Sequence, residues 1–136
     1  MNFNQRGQQS FLKRAPKACG ETVHLRRSVP GGYATIVITG AMRSPNSVIV
    51  STSEQLSVTL TLVDWWLPVS QVVFDTLSSP MAGDNVPRMS DELTAADGTE
   101  FEPMRPGAGS DAAVLVAMDN FWLIHTKQTG MPVPVV

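Results

Sequence analysis

Between residues 20 and 130 the chain is written in short, alternating, β-branched runs. A Gly, Pro, Asn or Asp turn cuts each one off roughly every eight to twelve residues. No stretch sustains the 3.6-residue apolar spacing of an amphipathic helix. That punctuation restricts the chain to an all-β architecture, a small β-barrel or strongly curved sandwich of about six or seven strands. At 136 residues it is one domain with room for a single core.

The strands can be placed one by one. Glu21 to Ser28 alternates with Val23 and Leu25 inward and Thr22, His24 and Arg26 outward, and Val29-Pro30-Gly31-Gly32 ends it in a turn. Tyr33 to Met42 is apolar on both faces, and Ser44-Pro45-Asn46-Ser47 is expected to turn the chain again. Val48 to Ser51 and Gln55 to Asp64 are two strands, or one strand interrupted at Thr52-Ser53-Glu54. In the second, Leu56, Val58, Leu60 and Leu62 share a face opposite Ser57, Thr59 and Thr61, a half-buried pattern. Trp65 and Trp66 point in opposite directions on extended backbone, so one is core and the other at least partly outside, where a Trp anchors contacts. Val69 to Phe74 is a short strand or a helical turn. Asp91 to Ala95 and Thr99 to Met104 form a hairpin about Asp97-Gly98. In the last hairpin Ala113 to Met118 pairs with Phe121 to Gly130 through Asp119-Asn120, and both faces of the final strand begin apolar.

Three segments fall outside this pattern. Residues 1–19 are an arm or a disordered terminus, rich in Gln, Asn and basic residues, with Phe11-Leu12 as its apolar anchor. Residues 75–90 make a loop too long for a mere connection in a small domain, and Pro80, Gly83 and Pro87 exclude helix and central strand. Residues 131–136, Met-Pro-Val-Pro-Val-Val, are an apolar tail expected to lie on the chain itself or on a neighbouring subunit. The 105–111 run is a flexible connection.

Charged residues make up only 16%, which suggests surface covered by a partner. The charge is also unevenly placed: residues 1–43 hold seven bases and one acid, residues 44–136 three bases and eleven acids. Such asymmetry suits head-to-tail contact between copies, and the basic end could instead bind DNA phosphates. Candidate neighbour contacts are Arg6, Phe11, Lys13, Arg14, Arg26, Trp65 and Trp66. No run of eighteen apolar residues is present, and the first residues lack the apolar core of a signal peptide. The single cysteine, Cys19, excludes an internal disulfide framework. Two histidines, His24 and His125, make a poor metal site, and no cofactor is expected. Gly107-Ala108-Gly109 lacks the strand–turn–helix setting of a nucleotide loop. Asp84, Asp91, Glu92, Asp97, Glu100 and Glu102 read as a solvated acidic face, with no apolar pocket to enclose a catalytic pair. No enzymatic activity is expected.

Three segments in order resemble the head–tail joining proteins of tailed double-stranded-DNA phages, also called head-completion or stopper proteins. Gly20-Glu21-Thr22-Val23-His24-Leu25-Arg26-Arg27 is similar to an opening strand of the form Gly-Glu-x-Val-x-Tyr-x-Arg, with Leu25 at the aromatic position. Pro87 to Leu93 and Asp97 to Glu102 resemble Pro-x-x-Gly-Asp-x-Ile followed by Asp-Gly-x-x-Tyr-Glu-Val, with Ser90 for the Gly and Pro103 for the Val. Phe121 to Gly130 resembles the family's closing strand, with Ile124-His125-Thr126-Lys127 at its centre. The resemblance covers residues 20–130 and implies a β-barrel domain there. It also implies a structural component of the virion neck, made in the host cytoplasm. There a sixfold or twelvefold homo-oligomeric ring would join the portal or adaptor to the tail terminator or tail tube and retain packaged DNA. The same resemblance makes the 75–90 loop, with Pro80, Gly83, Asp84, Asn85 and Arg88, a channel-facing or docking element. Acidic lining would keep DNA from sticking to such a channel. A tail terminator or another neck ring is the near alternative. A monomeric nucleic-acid- or ligand-binding barrel is the distant one.

Overall fold

The computed structural model describes residues 20–53, 56–74, 84–104 and 113–130. It is all-β, with eight antiparallel strands and no α-helix among the described residues. The strands are β1 (Glu21–Val29), β2 (Gly32–Arg43), β3 (Ser47–Ser53), β4 (Leu56–Pro68), β5 (Glu92–Thr94), β6 (Glu100–Pro103), β7 (Ala113–Val116) and β8 (Phe121–Gly130). Val69–Gln71 is a single 3₁₀ turn, which decides between the two readings of that segment.

Six strands close a ring through the pairings β1–β2, β2–β4, β4–β8, β8–β6, β6–β5 and β5–β1. The shortest seams are β2–β4, which pairs Met42 with Trp66 and Arg43 with Trp65, and β5–β6, which pairs Leu93 with Phe101 and Thr94 with Glu100. β3 and β7 lie outside the ring, on the edges of β4 and β8. Val29 pairs with Gly32 across Pro30-Gly31, where φ of +88° at Gly31 is the left-handed conformation a Pro-Gly turn demands.

The expected turn at Ser44 to Ser47 does not reverse the chain. β2 and β3 both run antiparallel to β4, with Arg43 opposite Trp65 and Ser47 opposite Leu62, so residues 44–46 form a bulge in one continuous partner of β4. Ser44 holds it: its N–H donates to Asp64 O and its Oγ accepts from Asp64 N–H, both at 2.9 Å. Turn residues also suit a bulge, which is why the sequence misleads here. β3 and β4 are two strands, but Thr52 and Ser53 belong to β3, with Ser53 opposite Leu56; Glu54 lies outside the described residues. Together these strands form a hairpin that extends beyond the barrel, because β8 pairs with β4 only from Leu62 onward.

The core face of β4 is the opposite one to that expected. Val63, Trp65 and Leu67 enter the core, whereas Leu60 and Leu62 share the outer face with Asp64 and Trp66 and are half-buried. On β1, Val23 and Leu25 are buried as expected, and Arg26 faces out. On β2 the outer face is exposed, Val37 included, so only one side of that strand is covered. On β8, Ile124 and Thr126 face the core while Leu123 and His125 face outward, half-buried. Trp65 meets Phe101 edge-on with ring centroids 5.4 Å apart, at the centre of a core drawn from every ring strand.

The β7–β8 turn is longer than the expected Asp119-Asn120. β7 stops at Val116, and Ala117, Met118 and Asp119 all take φ between 53° and 61°. Asn120 closes the turn from outside: its Nδ2 donates to the carbonyls of Ala117 and Met118 at 3.2 and 3.0 Å.

Candidate interaction surface and the arginine clasp

Arg27 shares the inward side of β1 with Val23 and Leu25, and its side chain is 1% exposed. A guanidinium removed from water needs full hydrogen bonding, and here it obtains it. Nε and Nη2 donate to the two carboxylate oxygens of buried Asp91 at 3.0 and 2.9 Å, the bidentate geometry that suits a planar fork. Nη1 donates to Asp84 O and Nη2 also to Val86 O, each at 2.6 Å. The guanidinium carbon sits 3.9 Å from the centroid of the Phe74 ring. Asp91 accepts once more, from Arg88 N–H at 2.9 Å.

The clasp joins both flanks of the long loop. Phe74 N–H donates to Asn85 Oδ1 at 2.8 Å, so Phe74 on one side of residues 75–83 is fixed to Asp84, Asn85 and Val86 on the other. Arg88 stacks its own charge against Asp84, with Nη2 to Oδ1 at 2.8 Å. Asp84, Asn85 and Arg88 therefore sit at the base of the loop. Pro80 and Gly83 lie outside the described residues.

The clasp is hard to see in the sequence because charged residues ordinarily face solvent. Strict alternation from Val23 and Leu25 puts Arg27 inside, and that parity was the available signal. The same discovery corrects the acidic face. Asp91 is enclosed, Glu92 pairs with Arg26, Glu102 with Lys127 at 3.8 Å and Asp84 with Arg88, leaving Asp97 and Glu100 without a basic partner within 4 Å among the described residues. Cross-strand neighbours supply these bases, which a linear sequence does not reveal. The Asp97 carboxyl is held below its usual range, chiefly by the backbone N–H of Thr99, which it accepts at 2.9 Å.

The other candidate residues fall as follows. Trp65 is wholly buried, so it is a core residue and offers nothing to a neighbour; Trp66, its outward-facing successor, is half-buried at the surface. Arg26 is exposed, but it pairs with Glu92 and lies 4.4 Å from the centroid of the Tyr33 ring. Arg6, Phe11, Lys13 and Arg14 lie outside the described residues, as do the 105–111 connection and the 131–136 tail. His24 and His125 stand on β1 and β8, which do not pair; His125 Nδ1 instead lies 2.7 Å from Asp64 Oδ1, opposite it on β4. No group of three His, Cys, Asp or Glu suited to a metal ion occurs among the described residues.

Two features describe the surface. All five Arg and Lys side chains among the described residues, Arg26, Arg27, Arg43, Arg88 and Lys127, have a carboxylate within 4 Å. The exposed large apolar side chains include Tyr33 and Val37 on the outer face of β2 and Val114, Leu115 and Met118 on β7 and its turn, with Val48 and Val73 standing apart. No protein-family model, curated protein sequence or solved structure matches the chain. The resemblance to head–tail joining proteins therefore stands on the segments quoted for it.

Proposed function

We propose that this chain is a structural protein of the phage neck, a ring-forming head–tail connector of the stopper or head-completion type. The observation that carries the reading is that two of its motif segments act as one unit. Arg27, the last residue of the opening motif, and Asp91, the acid of the Pro87–Leu93 motif, are the two halves of the buried clasp.

The physical argument is one of partition. The clasp anchors the base of the long loop to the barrel, as a connector loop needs if it is to bear on the next tier or on the channel. Exposed apolar side chains on β2 and on β7, with β4 and β8 between them in the sheet, suit a heterologous contact in which one copy's β2 meets β7 of the next. Barrel cations already engaged by carboxylates favour protein contacts over tight binding to DNA phosphates, which supports the connector above a nucleic-acid-binding barrel.

Deleting the gene from the phage that carries it tests the reading. The expected result is filled heads and separate tails, with DNA leaking from the heads, restored by the supplied protein. Normal, infectious particles would overturn it.

A further inference from the structure

The outer wall of the barrel carries an apolar row that runs across four strands. Met42 pairs with Trp66, Trp66 with Leu123, and Leu123 with Val114, and all four point away from the core residues Ala41, Trp65 and Ile124 beside them. Three are half-buried and Val114 is 51% exposed. A continuous row of Met, Trp, Leu and Val on a sheet face calls for a cover.

We infer that the cover is the chain's own N-terminal arm, residues 1–19, laid across the row with Phe11-Leu12 against Trp66 and Leu123. Two observations converge on this occupant. The first is where the arm joins the barrel. Gly20 leads directly into Glu21, which pairs with Ala41 beside Met42, so the arm leaves the barrel one strand from the head of the row. Phe11 lies nine residues before Gly20, a reach of about 30 Å, against about 15 Å for the three strand spacings from β2 to β7.

The second is charge. The arm holds Arg6, Lys13, Arg14 and Lys17 and no acid. The described part of the barrel holds nine acids and five bases, each base already beside a carboxylate. Asp64 stands two residues from Trp66 on the same outward face, its side chain 40% exposed and opposed by His125, and Asp119 follows β7 at the far end. With Phe11-Leu12 on the row, Lys13 and Arg14 fall beside Asp64.

A tethered arm beginning one strand away also outcompetes the same arm on a second copy in dilute solution, through its high effective concentration. The inference does not depend on the connector reading.

The test is zero-length carbodiimide cross-linking of the full chain at low concentration, with unlabelled and nitrogen-15-labelled protein mixed. Cross-links from Lys13 or Lys17 to Asp64 within like-labelled chains are expected. They should be lost in the Phe11→Ser, Leu12→Ser double variant, whose changes lie outside the barrel. In the same variant the Trp66 indole N–H resonance, assigned through Trp66→Phe, should shift. Cross-links joining differently labelled chains assign the row to another copy's arm and overturn the inference. So does a full-length chain without these cross-links whose Trp66 resonance matches that of the chain lacking residues 1–19.

Discussion

Removing the Asp91 carboxylate is the sharpest perturbation of this fold. Asp91→Leu removes the bidentate counter-charge of the Arg27 guanidinium, which is 1% exposed and keeps two carbonyl partners and a longer contact, 3.8 Å, with the exposed Asp84 carboxylate. Breaking a buried pair in this way costs about 3–5 kcal/mol. A domain of this size holds a total of about 5–15 kcal/mol, so the loss is a large share of it. With a urea slope of about 2 kcal/mol per molar, the midpoint should fall by about 2 M. Unfolding followed by tryptophan fluorescence reads this directly, because Trp65 is fully buried. The surface pair Arg26–Glu92 is the internal control: both side chains are more than 40% exposed, and Glu92→Ala should cost under about 1 kcal/mol. Arg27→Met should cost about as much as Asp91→Leu. Combining them should cost clearly less than the sum, since no lone charge remains, although the carbonyls of Asp84 and Val86 lose a donor. An Asp91→Leu loss no larger than the Glu92→Ala loss would refute the clasp as a buried pair that stabilises the barrel.

Other outcomes follow from particular contacts. Thr126→Val removes the 2.6 Å bond from Oγ1 to Val63 O in the core and should lower stability by about 1–2 kcal/mol in the same urea assay. Gly98→Ala, at φ of +90°, should cost about 1 kcal/mol, whereas Met118→Gly, at φ of +60° with an exposed side chain, should be neutral or slightly stabilising by thermal melt. Asp97 should titrate below the usual carboxylate value of about 3.9 by NMR. Its depressed pKa makes its contribution to stability complete above that value and lost as pH falls through the folded pKa; Asp97→Ala should therefore flatten the acid limb of the stability curve.

Much of the barrel is legible in the residues themselves. Pro30-Gly31, the Asp97-Gly98 turn and the alternation of Val23 with Leu25 fix hairpins and faces through local sterics and period-two burial, which sequence carries directly. What it does not carry is which strands become neighbours. Ser44 to Asn46 reads as a reversal until β4 is seen to pair on both sides of it, and Leu60 and Leu62 read as the covered face until Val63, Trp65 and Leu67 are seen to take the core. The candidate surface follows the same logic. The partition of Trp65 from Trp66 comes from alternation alone, but the pairing of Arg26 with Glu92 and of Arg27 with Asp91 depends on β1 meeting β5 and the loop, sixty-odd residues away.

The central claim is an assembly, and an image of the assembled particle tests it most directly. Cryo-electron microscopy of the virion neck, reconstructed with the symmetry of the portal axis, should show a closed ring of this six-strand barrel between portal and tail, with Trp65 inside each subunit and Tyr33 and Val37 facing the next. A neck whose every ring is accounted for by other chains, with this protein absent from purified particles, would contradict it.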